Sequence, residues 1–461
     1  MLQDILMDAK EWFPAGVHTE LRAQCNRDRD VVLVQGSLTR NSREETRGVS
    51  ARIYQNGVCG FSSVAEYTQD AAKNVLREAA DNAAFMDRHA GKGKGTLPPF
   101  SGEGIVQREE LPDTEQKRYI EVVKDFDDYL LRNCPHLTGR TVRAAEDSME
   151  KLLKTSDGAE GHFISPRSFV YIFLNAETKD GAPVEVYAPL GGEGTFDRQF
   201  ENPAVWYPKI DTLYRQLMDK REGVHAKAGL RTVILGGMMS GILAHESVGH
   251  TVEADAVLSG SVAATNLHRQ VASEKVSMTD FAHTAFGERC PLPVFLDDEG
   301  IVCSDAPLIE NGILTGYMHN RESAQHFDVA PTGNARAFLF SDEPLIRMRN
   351  TAVHPGKDRL EDMIASVEEG YYLLDYNNGQ ADATGEFMFG ITCGYEIRKG
   401  KIGKAILDTT ISGVAFDMLK TVDMVGDSVT WSCSGYCGKK QPMPVGMGGP
   451  ALRCKVLIGG R

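Results

Sequence analysis

The sequence has little that would take it into a membrane or onto nucleic acid. No run of about 18 apolar residues occurs in its 461 residues, so no membrane-spanning helix is expected. The opening Met1-Leu2-Gln3-Asp4-Ile5-Leu6 has no basic segment ahead of an apolar one, which argues against a secretory signal and for a cytoplasmic setting. Basic residues are in deficit, with 50 Lys and Arg against 64 Asp and Glu and a formal net charge of −14. That balance repels phosphate and disfavours a direct nucleic-acid partner. The short basic candidates Arg336, Arg347 and Arg349 read as solvated surface. The nine cysteines form no Cys-x-x-Cys pair, so a zinc ribbon or thioredoxin motif is not supported. Their odd number in a long chain argues against a disulfide framework, and most read as small buried hydrophobes. Fixed-period repeats and low-complexity tracts are also absent.

What is present is an ordinary globular composition, 42% hydrophobic and 25% charged. The length suggests two or three domains. The first part mixes α and β. Val31 to Val34 is a strand candidate, and Gly48 to Tyr54 and Val58 to Ser63 form a hairpin about Asn56-Gly57. Val64 to His89 carries Ala72, Val75, Leu76, Ala79, Ala80 and Ala83 on one helical face. Gly91 to Glu110 reads as an exposed loop. A helix then runs to about Asn133, with Asp113 or Thr114 able to cap it. Strands follow from Thr141 to Pro189, clearest at Ser168 to Leu174, and another helix near Ile210 to Lys220. Beyond about 230, short strands punctuated by glycine dominate, with one conspicuous helix. The expected fold is α+β: an N-terminal α/β domain over 1–215, then a β-rich C-terminal domain over 216–461 that carries one metal-binding helix.

That helix holds the chemistry. Thr232 to Leu235 reads as a buried strand ended by Gly236-Gly237, and Ser240 can cap a helix containing His245, Glu246 and His250. Two histidines with a glutamate directly after the first follow the logic of zinc peptidases, in which His holds the metal and Glu is the general base. The spacing is unusual. Residues five apart on a regular α-helix are turned by about 140°, so the two imidazoles would face different ways. A π-type turn would bring them together, and Gly249 would ease the distortion. The sequence therefore predicts a widened or broken turn at Ser247–Gly249. A third ligand is required. Glu253 and Asp255 lie near in sequence, and Cys437, between glycine-rich turns and beside Lys439, is a candidate exposed thiolate.

With these residues in place, the chain resembles the TldD/PmbA family, on its TldD side. The segment His245-Glu246-Ser-Val-Gly-His250-Thr-Val-Glu253-Ala-Asp255 is similar to the family's zinc motif. Cys437-Gly438-Lys439, Pro444-Val445-Gly446 and Gly459-Gly460 resemble its C-terminal signature, and Arg347-Met-Arg-Asn-Thr351 another family segment. The resemblance implies Zn2+ held by His245, His250 and Cys437, with Glu246 as the catalytic carboxylate. It implies cleavage of unfolded or extended peptides inside a dimer, either a homodimer or a heterodimer with a PmbA-like chain. The family also carries a historical label as modulator of DNA gyrase. Two departures stand out: Lys440-Gln441 where Gly-Gln is usual, and Gly448-Gly449-Pro450 where Gly-Gln-Pro is usual.

The expected reaction is metal-assisted hydrolysis, with Glu246 as base on a zinc-bound water. Glu253 and Asp255 are candidates to orient a ligating imidazole. Lys439, Tyr436 and His319 are candidates to stabilise an oxyanion or bind substrate. The competing reading is a zinc-containing binding or regulatory subunit of a TldD/PmbA-type complex, without turnover.

Overall fold

A computed structural model describes residues 2–90, 97–108 and 111–459. The loop expectation at 91–96 and 109–110, and Gly460 of the terminal glycine pair, lie outside the described residues.

Alternation builds the N-terminal sheet. In the strand His18–Val34, Leu21, Ala23, Cys25, Val31 and Leu33 point to one face, and Arg22, Gln24, Asn26, Asp28 and Asp30 to the other. Its neighbours are Ser37–Gln55 and Gly139–Thr155, both antiparallel. Val58–Val64 lies beyond the first of these and Glu160–Glu177 beyond the second, with Ile105–Arg108 and Pro183–Glu193 both paired to Glu160–Glu177. The predicted hairpin closes at Asn56 and Gly57, whose φ values of 50° and 84° are what a tight right-twisted turn needs.

Helices Gln69–Ala90, Gln116–Asn133 and Tyr207–Arg221 cover the apolar face. Ala72, Val75, Leu76, Ala79 and Ala83 meet Leu21, Ala23, Val49, Ala51 and Ile53. The polar face turns toward the C-terminal region. There Arg22 donates to the carbonyls of Leu339 (3.2 Å) and Asp342 (2.7 Å), and Asn26 to that of Phe338 (2.8 Å).

Three local expectations are corrected here. The strand at Val31 begins far earlier, at His18, because its first half alternates and shows no apolar run. Ile105–Arg108, expected as loop, is a strand parallel to Gly161–Ile164. Neither Asp113 nor Thr114 caps the second helix: Glu115 occupies the N-cap without a side-chain bond, and Thr114 donates to Asp197 instead.

In the C-terminal region five strands close on themselves. Gly229–Leu235, Leu452–Ile458, Thr409–Val414, Glu386–Arg398 and Glu369–Ala381 pair in turn, and the last also lies parallel to the first. A second sheet runs Ala306–Glu310, Met278–Phe281, Asn350–Val353, Gly446–Gly449, Thr430–Ser432. Helix Gly237–Leu243 leaves the first of the closed strands and lies against Gly446–Gly449. Its N-cap is Gly236, not Ser240. The Ser240 hydroxyl sits inside the helix and donates to Pro450 O at 2.7 Å. A Cβ on Gly449 would fall 2.2 Å from that hydroxyl oxygen, which accounts for glycine there. All nine cysteines are free, and no helix among the described residues is long and apolar enough to cross a membrane.

Candidate metal centre

After Leu243 the helix widens as its histidine spacing requires. Ala244–Val248 is a π-helical turn, and Gly249–Val252 continues as a 3-10 turn. The imidazoles of His245 and His250 are brought side by side, with ring centroids 5.1 Å apart and planes at 80°. Gly249 matters for space rather than backbone freedom. Its φ is −51°, ordinary for a helix, but an added Cβ would stand 2.1 Å from Met348 Sδ and 3.1 Å from Ala244 O.

The third donor arrives from 187 residues further on. Cys437, in the short strand Tyr436–Cys437, places Sγ 3.3 Å from His250 Nε2. One donor atom from each of His245, His250 and Cys437 lies within 4.8 Å of the others. The thiol is not exposed as expected but buried. Burial pushes Cys437 up, yet the facing imidazoles of His245 and His250 outweigh it and hold the thiol down at about 3. Burial likewise disfavours the His250 cation, but its bonds to Cys437 and Glu253 raise it to about 10.

His245 is 1% exposed, and neither of its ring nitrogens has a hydrogen-bond partner. Buried polar atoms are nearly always bonded, so an orphaned imidazole facing a thiolate calls for a cation. Two imidazoles and one thiolate are a donor set that suits zinc with a position left open.

Around this cluster the carboxylates divide. Glu246 stands 3.9 Å from His245 Nε2 and 3.7 Å from His250 Nε2, with 25% of its side chain exposed. Glu253 is fully buried and bonds His250 Nδ1 at 2.8 Å. Asp255 touches neither imidazole; it pairs with Lys439 Nζ at 2.8 Å, and Lys439 also reaches Glu253 at 3.1 Å. The oxyanion candidates are engaged elsewhere. Lys439 is held by these carboxylates, and Tyr436 donates to Asp147 at 2.7 Å. His319 is buried against Ser323, and burial lowers it to about 4.

The solvated-surface reading of Arg336, Arg347 and Arg349 is overturned: all three are buried, the last two completely. Arg347 grips the cysteine loop. It donates to the carbonyls of Cys437 (2.7 Å), Lys439 (2.8 Å) and Gln441 (2.6 Å). Arg167, from the N-terminal sheet, donates to Cys433 O at 2.5 Å and is fixed by Asp147. Lys440 adopts φ 57°, the left-handed conformation that glycine takes most easily. The signal for the arginines was their setting: Leu345-Ile346 before them and Asn350-Thr-Ala-Val353 after them form a strand-like stretch.

Comparison with known proteins places the whole chain in one family. Residues 228–460 match the PmbA/TldA metallopeptidase C-terminal domain, and residues 19–83 match domain 1 of the same family. A "Metalloprotease TldD homolog" of Buchnera aphidicola subsp. Acyrthosiphon pisum is 38% identical over 93% of this chain and 90% of its own. One from Haemophilus influenzae is 30% identical over 96% and 93%. A "Zinc metalloprotease TldD homolog" of Saccharolobus solfataricus is 34% identical over 54% of this chain and 56% of its own. TldE of Thermococcus kodakarensis shares the fold, with a TM-score of 0.76 at 15% identity over 98% of this chain and 100% of that one.

Proposed function

The chain belongs to the PmbA/TldD family and is a metallopeptidase, and on that premise we propose that it hydrolyses extended peptides at zinc held by His245, His250 and Cys437. The observation that carries the reading is the buried His245, whose unbonded ring faces a thiolate and a second imidazole. Bound zinc would supply Lewis acidity to the scissile carbonyl and to the attacking water.

The remaining work falls to the chain. Glu246 accepts the proton of the attacking water and passes it to the leaving amine, and its partial exposure leaves it open to both. Glu253 accepts from His250 Nδ1–H, which fixes the ring and turns Nε2 toward Cys437. Lys439 anchors Glu253 and Asp255 in turn. Glu246→Gln keeps the shape and removes the base. It should retain zinc by elemental analysis while peptide cleavage falls at least about 10²-fold. Full cleavage by the zinc-loaded variant would remove Glu246 from this role. Loss of zinc together with cleavage would make it a structural residue and favour a non-catalytic subunit.

The active form is a dimer, with a second copy or a PmbA-like chain closing over the site. The quarter-exposed side chains of Glu246 and His250 support this, because one chain alone leaves them open to solvent. Sedimentation of the active species as a monomer would refute it.

A further inference from the structure

Two arginines two positions apart, both fully buried, divide their work in a way that bears on the metal. Every acceptor of the Arg347 side chain is a backbone carbonyl of the loop that carries Cys437: those of Cys437 itself, Lys439 and Gln441. Arg349 faces elsewhere. It pairs with Asp280 at 2.9 Å and donates to the carbonyls of Thr332 and Ser304, none of them in that loop. The loop needs a restraint. Lys440 is held at φ 57°, and Gln441 N turns back onto Lys439 O at 2.7 Å. A carbon-bearing side chain resists that conformation, so the free loop would relax away from it. Arg347 meets this with a planar fork whose two amino groups reach three carbonyls, a pattern that a lysine ammonium cannot reproduce.

We propose that Arg347 is a positioning residue for the metal ligand Cys437: by clamping three carbonyls of its loop, it sets Sγ against His245 and His250 before any metal enters. The proposal rests on the zinc-site reading above. In the metal-free protein the clamp lowers the ordering that binding must impose, so its removal appears as weaker metal affinity. Partners one step removed from a metal typically contribute 10–100-fold to affinity, and Arg347 stands at that distance.

The test is zinc titration against a competing chelator for wild type, Arg347→Lys and Arg349→Lys, with the thermal melt of each metal-free protein. The expected result is a zinc Kd about 10–100-fold weaker for Arg347→Lys and unchanged for Arg349→Lys, even where both lower the melting temperature. Cobalt loading adds a second readout, since Arg347→Lys should weaken the thiolate-to-cobalt absorption per bound ion. Should Arg347→Lys not fold, Arg347→Gln, which keeps amide donors without the fork, goes through the same titration. A Kd equal to wild type in the folded variant overturns the role of Arg347. Equal losses in Arg347→Lys and Arg349→Lys also overturn it, by reducing both arginines to general scaffolding. Failure of wild type itself to take up zinc is a different result and sinks the metal-site reading.

Discussion

The helical turn and the cysteine loop hold the three proposed ligands by opposite means. At the turn, His245 and His250 are placed by packing: a π-helical widening, and a glycine whose missing side chain admits Met348 beneath it. At the loop, Cys437 is placed by charged hydrogen bonds, from Arg347 on one side and from Arg167 of the N-terminal sheet upstream. The turn should therefore fail when volume is added, and the loop when donors are removed. Failure at the turn should register first as lost folding stability, failure at the loop as lost metal.

The strongest break is at the loop's own ligand. Cys437→Ser removes the only sulfur donor in the cluster. Zinc affinity should drop by more than the roughly 100-fold that an outer partner costs, while the fold persists by circular dichroism, because serine is close to cysteine in size. Metal held as tightly as in wild type would remove Cys437 from the ligand set and erase the contrast.

Adding volume at the turn tests the other half. Gly249→Ala introduces a Cβ at 2.1 Å from Met348 Sδ, so the sulfur must move or the turn must open. Overpacking of this kind costs about 1–3 kcal/mol, readable as a lower urea midpoint in the metal-free protein. The double change Gly249→Ala with Met348→Ala should recover part of that loss if the clash is its source. An unchanged midpoint in the single variant would mean that the turn tolerates volume.

How much of this could be read in advance follows the same division. The widened turn was legible because it is local: five residues between histidines cannot share one face of a regular helix, and the resolution lies in the same segment. The hairpin at Asn56-Gly57 was legible for the same reason. Cys437 could be joined to the histidines only through family resemblance, since nothing in the stretch between them, a separation of 187 positions, encodes the contact. Arg347 and Arg349 were misread because arginine is usually exposed, and its burial here depends on carbonyls contributed by distant loops. Ser240 was misread as a cap because its Oγ finds Pro450, a partner far along the chain.

The smallest expected effect asks how far the loop's restraint extends into the N-terminal sheet. Arg167 is fully buried between Asp147 and the carbonyl of Cys433, and its guanidinium lies 4.6 Å from the ring centroid of Tyr436, the residue before the ligand. Its bonds into the loop go to the carbonyls of Cys433 and, at 3.4 Å, Gly435, both ahead of Cys437, so it acts on the ligand from the upstream side. Arg167→Lys keeps a positive charge for Asp147 but gives up the fork that serves Asp147 and Cys433 O together. Zinc affinity should weaken by roughly threefold to tenfold, below the range for a direct outer partner. The same chelator titration measures it, and Arg143→Lys is the control. Arg143 pairs with Asp30 at 2.7 Å on the neighbouring strand and should leave the Kd unchanged. If Arg167→Lys binds zinc as wild type does, the loop is set within the C-terminal region alone. If its loss equals that of Arg347→Lys, the N-terminal sheet is as much a part of the metal centre as the helix that carries its histidines.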